Sequence, residues 1–279
     1  RGWRRANRRP CLVTPPAAAG ALPLENPMPP PLRLRYLLLS GAFAALALVT
    51  VMRASPGNTL PAFPLYERFL AIDGACGWPR LNVLPGGELS MIVWPNPYHG
   101  YIEGAVECWN SRDDGRTWQR AGVPVPWSPG ENRMNLAAGV APDGAYVALV
   151  AGWDKRLPST WTAASSAESD RVGRTAFRDA HTLQPVPAIS RDGGRTWKQF
   201  PALTEPRQSS GNALTPYGPI APLADGQLGA MLYGDQVHFY TSADGGQTWR
   251  ERGHFSEKHA HNETAWLRLA TGDLLAASR

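Results

Sequence analysis

The chain writes one phrase three times: SRDDGRTW at 111–118, SRDGGRTW at 190–197 and SADGGQTW at 242–249. A Ser-x-Asp-x-Gly-x-Thr-Trp phrase is turn chemistry. The Ser and Asp side chains bond nearby backbone amides, Gly accepts positive φ, and Thr-Trp restarts a strand whose indole can pack between sheets. Such a box predicts a structural role for Ser111, Asp113, Gly115 and Trp118, for Ser190, Asp192, Gly194 and Trp197, and for Ser242, Asp244, Gly246 and Trp249, with the three tryptophans buried. Three like copies also argue against catalysis by these carboxylates, because one active site would need each in a different role.

The boxes start 79 and 52 residues apart, the spacing of repeated supersecondary units such as propeller blades. A second phrase precedes each box, an apolar strand, a Gly turn and another apolar strand: PRLNVLPGGELSMIVW, NLAAGVAPDGAYVALVAGW and PIAPLADGQLGAMLYG. A fourth copy, AWLRLATGDLLAAS, starts at Ala265 with no box after it. Each unit reads as a four-stranded antiparallel sheet, so the body from about residue 71 is expected to be all-β. With 28 Gly and 27 Pro, the composition agrees with a turn-rich body.

In a propeller the innermost strands start at the mouth of a central channel, so residues just before them share one pocket. Counting nine back from Gly87, Gly144, Gly226 and Gly272 gives Trp78, Asn135, Tyr217 and Glu263. Aromatic faces, an amide and a carboxylate suit a sugar. Between Trp153 and Gln184 the second unit carries an excursion longer than a strand connection requires, expected to lie on the surface as a flap.

The net charge of +5 is unevenly spread. Up to Arg53 there are eight arginines against one acid, Glu25, a net of +7, which leaves +5 − 7 = −2 for the remainder. A body without a basic face has nothing to neutralise phosphates, which excludes nucleic-acid binding as its main business. The arginines flank an uncharged apolar run, Tyr36 to Met52, close to the lower limit of about 17 residues for a membrane span. We expect a disordered basic segment over 1–35, a transmembrane or signal-anchor helix over 36–52, a linker over 53–70 and the β body over 71–279. The arginine excess on the N-terminal side keeps that end cytoplasmic and puts the body on the periplasmic or extracellular side, secreted if the segment is cleaved. There Cys76 and Cys108 could pair as a disulfide or stay as two buried thiols. No Cys-x-x-Cys or His-Glu-x-x-His pattern occurs, and neither a metal nor a cofactor is expected.

The three boxes match the Asp box, and the chain resembles the sialidase (neuraminidase) superfamily over roughly Cys76 to Arg279. The resemblance implies a six-bladed β-propeller, present here as about three and a half blades, acting on a terminal sialic acid or related acidic sugar of a glycan. NETAWLRLATGDLLAASR is similar to the family segment in which a Glu activates a tyrosine nucleophile and an Arg joins a triad that grips the substrate carboxylate. Glu263 falls on the first and Arg279 on the second, so Glu263 is the expected catalytic base and Arg279 a substrate ligand beside Trp78, Asn135 and Tyr217. The nucleophile and third arginine would lie beyond residue 279, and the chain as given is expected to be inactive.

Two features depart from the family. Where its first triad arginine opens the first blade, this chain has Gly77-Trp78-Pro79, and Arg80 follows three positions late. An odd shift along a strand reverses the face, so Arg80 is not expected to substitute. The family's acid/base Asp precedes the first box, but no Asp occurs between Asp73 and Asp113; Glu103 is the substitute considered. These departures keep a second reading open, a non-catalytic propeller that binds glycan or protein at the cell envelope.

Overall fold

The computed structural model describes residues 70–75, 77–205, 207–255 and 261–279. The expected N-terminal segment, apolar helix and linker over 1–69 lie outside them, as does Cys76. Among the described residues no helix is long and apolar enough to cross a membrane.

The strands form a four-stranded sheet, a nine-stranded sheet and a hairpin, and the nine-stranded sheet divides at one parallel pair into two antiparallel units, the second and third sheets. The first sheet runs β1(Gly77–Val83), β2(Leu89–Trp94), β4(Glu107–Ser111), β5(Gln119–Gly122), and a short β3(Gly104–Ala105) leaves it to pair with the next unit. The second runs β6(Asn132–Val140), β7(Tyr146–Trp153), β8(Thr182–Ser190), β9(Lys198–Gln199), and the third β10(Thr215–Pro222), β11(Leu228–Tyr233), β12(Val237–Ser242), β13(Arg250–His254). A final hairpin pairs β14(Thr264–Arg268) with β15(Leu274–Ser278). Within each sheet neighbours are antiparallel and follow in chain order, as expected.

The opening turn of each unit is the same object. Residue pairs Leu84 and Gly87, Ala141 and Gly144, Leu223 and Gly226, and Leu269 and Gly272 each close it with a backbone bond from the Gly amide to the first carbonyl. The four glycines sit at φ of 87°, 83°, 82° and 93°, the left-handed region where a Cβ is costly. These turns set the first strand of every unit in equivalent positions. β6 and β10 pair in parallel, Gly218 opposite Ala137 and Pro219 opposite Ala138, while β1 lies against β6 and β10 against β14. The innermost strands therefore line up side by side with their starts at one end, the arrangement of a partial propeller.

Each box is one hydrogen-bonded knot. In the first, Ser111 Oγ donates to Asp113 Oδ1 at 2.7 Å and accepts from Gly115 N, while Thr117 donates to Asp113 through its amide at 2.9 Å and its hydroxyl at 2.6 Å. The same bonds recur around Asp192 and Asp244. Each box indole then donates to its own glycine carbonyl at 2.8–3.0 Å. All three knots are exposed at their carboxylates, and the second also reaches the first sheet through Arg195, which donates to Glu88 at 3.1 Å, and through the Gly193 carbonyl, which accepts from Asn110 at 2.7 Å.

Those contacts cement one sheet to the one before it. Gly194 lies against Cys108 of the first sheet and Gly246 against Val147 of the second, while Trp197 joins the core cluster that holds Ile92 and Cys108, 5.3 Å from the Tyr146 ring, and Trp249 the cluster that holds Val147 and Leu149. Trp249 is buried, whereas Trp197 and Trp118 are half-buried; Trp118 has no preceding sheet among the described residues. Strand β7, sandwiched between neighbouring sheets, is buried along nearly its whole length. Of the two cysteines considered for a disulfide, Cys76 lies outside the described residues. Cys108 is a free thiol, fully buried, with its sulfur 3.2 Å from Ser90 Oγ and Asn110 Oδ1 within reach.

Among the described residues the excursion in the second unit carries the one α-helix, α1(Ser166–Ala176). Ser165 caps it by accepting from Glu168 N, while Glu168 accepts from Ala164 N, a reciprocal start signal. The helix is docked rather than free. Gly173 sits so close to the Tyr101 ring that any Cβ would collide with it, and Phe177 stacks on the same ring at 5.9 Å.

Candidate functional site

Trp78, Asn135, Tyr217 and Glu263, chosen by counting back from four glycines, line a single small cleft of about 40 Å³ together with His99, Met134, Leu136, Trp153 and Tyr233. It lies where the inner strands start. Glu263 immediately precedes β14, while the other three are in the first half of β1, β6 and β10.

Two walls are aromatic. His99 and Trp78 meet in a T-shaped pair with centroids 4.6 Å apart, and His99 stacks on Trp153 at 6.4 Å. Tyr217 meets Tyr233 edge-on at 6.4 Å. Burial pushes the Tyr233 phenol up to about 12, with the Glu263 charge acting in the same direction. Tyr233 is thus a hydrogen-bond donor at any physiological pH.

The polar groups are few. Arg279 Nη1 donates to Glu263 Oε2 at 2.9 Å, so the two residues carried over from the family segment meet in an ion pair, the arginine largely exposed and the carboxylate mostly covered. Asn135 is buried, and its Oδ1 has no hydrogen-bond partner among the described residues.

Arg80 was expected to face away and does not. The β1–β2 ladder pairs Gly77 with Trp94 and Arg80 with Ile92, three steps on one strand against two on the other. That bulge cancels the odd shift. It is built at Trp78, whose φ of 52° is an outlier for a bulky residue and a form of strain that concentrates at functional sites. The Arg80 guanidinium consequently stacks on the Tyr217 ring with its carbon 4.3 Å from the centroid. Its Nε and Nη2 are buried without a hydrogen-bond partner. Pro79 was the available signal, since proline lacks a ladder donor and within sheets is confined to edges and bulges.

Glu103 is corrected in the other direction. Its Oε2 accepts from Gly130 N at 2.9 Å and its Oε1 from Ser159 N at 3.1 Å, which pins two loops together outside the cleft. A carboxylate occupied at both oxygens by backbone amides is a brace, not an acid/base group.

The comparisons agree with this frame. The family model for the BNR/Asp-box repeat matches residues 240–251, the third box. A Hadza microbial sialidase superposes with a TM-score of 0.55 at 18% identity, covering 72% of this chain and 41% of its own. A protein of unknown function from Dyadobacter fermentans gives 0.54 at 18%, covering 75% and 64%. The NanB sialidase from Streptococcus pneumoniae gives 0.52 at 12%, covering 77% and 50%. The chain thus spans between 41% and 64% of these proteins' lengths. No curated protein matches the sequence. The chain carries Asp-box repeats and has a sialidase-type fold.

Proposed function

We propose, for a chain with Asp boxes and a fold of sialidase type, that the cleft binds the acidic sugar at the end of a glycan, of the sialic acid class, and that the protein is a sialidase-like glycoside hydrolase on a six-bladed propeller. One observation carries this reading: polar atoms without partners in and behind the wall of an aromatic cleft, Asn135 lining it and Arg80 stacked on the lining Tyr217. Buried donors and acceptors are nearly always bonded, and an unmet one costs about 1–3 kcal/mol. Here Arg80 Nε and Nη2 and Asn135 Oδ1 are unmet together. A carboxylate offers a guanidinium two acceptors in matching geometry, and sugar hydroxyls can donate to an amide oxygen.

The residues divide the work accordingly. Arg80 takes the carboxylate-gripping part that the sequence register denied it, and Arg279 joins it by exchanging Glu263 for the substrate. Trp78 and Tyr217 cover the ring, and Tyr233 donates to a hydroxyl. Glu263 accepts the proton of an attacking tyrosine hydroxyl, a neutral nucleophile that an anionic sugar does not repel. With Glu103 engaged elsewhere, His99 is the cleft-lining group left to protonate the leaving oxygen. We further propose that the apolar run over 36–52 anchors the protein with its body outside the membrane, supported by the arginine asymmetry.

A second reading, a non-catalytic glycan-binding propeller, draws on the ion pair that occupies Glu263. Turnover of a fluorogenic sialoside by the full-length protein, carrying the tyrosine expected beyond residue 279, separates the two. Saturable release of the fluorophore that falls by about 10²–10⁴-fold in Glu263→Gln supports the hydrolase. Saturable binding without release leaves the binding module, and a cleft that neither binds nor cleaves sialosides ends both readings.

A further inference from the structure

Away from the cleft, three side chains on the outer ribbon of the third sheet converge on one point. β12 and β13 are antiparallel, and His238 stands opposite His254 in the ladder. Glu251 lies three residues before His254. In a regular strand that odd separation would put the two side chains on opposite faces. The ladder is irregular here: Phe239 pairs with Gly253, but Tyr240 pairs with Glu251, leaving Arg252 over as a bulge. The extra residue restores the parity and turns Glu251 to the face of both histidines. As a result His238 Nδ1 and His254 Nδ1 each lie 3.0 Å from the same oxygen, Glu251 Oε1. The two rings are 5.5 Å apart between centroids.

Two imidazole nitrogens and one carboxylate oxygen, all within 4.8 Å of one another, form the donor set of a His-His-Glu metal site. Zinc bonds of about 2.0–2.2 Å at tetrahedral angles hold ligand atoms roughly 3.3–3.6 Å apart, so only a small adjustment is needed. The exposure is graded from 13% at the His238 side chain through 28% at Glu251 to 45% at His254, which leaves one side open for a water ligand. Asp235, whose charge interacts with that of His238, adds a second anionic group nearby. A cation here would also meet a structural need. All five residues of β13 are exposed, so little apolar burial holds this edge strand in place.

We propose that His238, Glu251 and His254 bind a divalent transition-metal cation of the zinc type, completed by water, and that the metal clamps β13 to β12 across the bulge. Calcium and magnesium favour all-oxygen ligand sets, so two imidazoles select against them.

The test uses the full chain, stripped with chelator and titrated with ZnCl2 by calorimetry and with CoCl2 by visible absorption. The expected result is a zinc-binding component with the intense absorption of four-coordinate cobalt, and a rise in Tm with zinc but not with CaCl2. His254→Ala and Glu251→Gln should each weaken that component by at least about 10–100-fold, the loss typical even for groups that only orient a ligand. His261→Ala, outside the cluster, should leave it unchanged. All three substitutions fall on the surface ribbon or the loop before β14, and unaltered circular dichroism checks that they fold. Equal zinc affinity in wild type and His254→Ala, or only the weak absorption of six-coordinate cobalt, would overturn the proposal and leave a plain His–Glu–His hydrogen-bond cluster.

Discussion

Adding one methyl group at Gly194 tests how the boxes hold the sheets together. Gly194 sits at φ 84°, and a Cβ built there would overlap Cys108 Sγ on the preceding sheet. Cys108 is fully buried and cannot retreat. The substitution Gly194→Ala therefore carries two costs, roughly 1–2 kcal/mol for an L-residue in the left-handed region and roughly 1–3 kcal/mol for overpacking, about 2–5 kcal/mol in all. Gly115 provides the control. It has the same φ of 84°, but its nearest neighbours, Leu89 Cδ1 and Trp118 Cζ2, lie at 3.6 Å, so Gly115→Ala should show the backbone cost alone. Urea unfolding of Gly194→Ala, Cys108→Ala and the double variant completes a cycle. Removing the sulfur makes room for the methyl, and the cycle should return a favourable coupling of about 1–3 kcal/mol. Equal costs at Gly194 and Gly115, or additivity within about 0.5 kcal/mol, would refute the claim that the box glycine is a close-packed contact between sheets.

Acid should loosen the boxes. Bonds from Thr117 and Ser111 hold the Asp113 carboxyl down at about 2, and at Asp192 burial pushes upward but is outweighed by bonds from Thr196, Ser190 and Arg195, again to about 2. A depressed folded pKa stabilises above the unfolded value near 4 and loses that contribution as pH falls towards 2, so Tm should drop across this window and Asp192→Asn should flatten the drop. Asp114 occupies the left-handed position that the other boxes give to Gly193 and Gly245, at φ 58° against 75° and 72°. Asp114→Gly should raise stability by up to about 1 kcal/mol in urea unfolding, strain relief exceeding added chain entropy; a loss would show that the aspartate is at ease there. Glu103→Ala should cost about 1 kcal/mol, chiefly by stranding the part-buried Gly130 amide while water takes the exposed Ser159 amide, yet leave sialoside affinity unchanged; a loss of affinity at intact stability would return Glu103 to the site.

Local chemistry was the readable part of this sequence. The box knots and opening turns are made by residues within five positions of one another, and their glycines mark the conformation they need. Because those turns fix the start of each inner strand, counting back from them found four residues on one cleft. What escaped the reading depends on register. A single bulged residue at Trp78 reverses the face of Arg80, and another at Arg252 turns Glu251 towards His238 and His254; alternation arguments assume that no such residue exists. Pro79 was the one hint at the first bulge, and nothing comparable marks the second. Glu103 was misread because its partners, at Gly130 and Ser159, are distant in sequence. The helix over 166–176 was legible but unread, its Ser165-x-x-Glu168 start being a plain capping signature.

An aromatic cleft lined by an unmet acceptor at Asn135 and backed by the unmet donors of Arg80 should take an acidic sugar. Calorimetric titration with sialyllactose and with lactose, for the protein and for Arg80→Met, tests it most directly. The account predicts saturable binding of sialyllactose, none of lactose, and a loss of roughly 10–150-fold in Arg80→Met, the equivalent of a charged hydrogen bond worth about 1.5–3 kcal/mol. Equal affinity for the two sugars, or sialyllactose binding indifferent to Arg80, would contradict it.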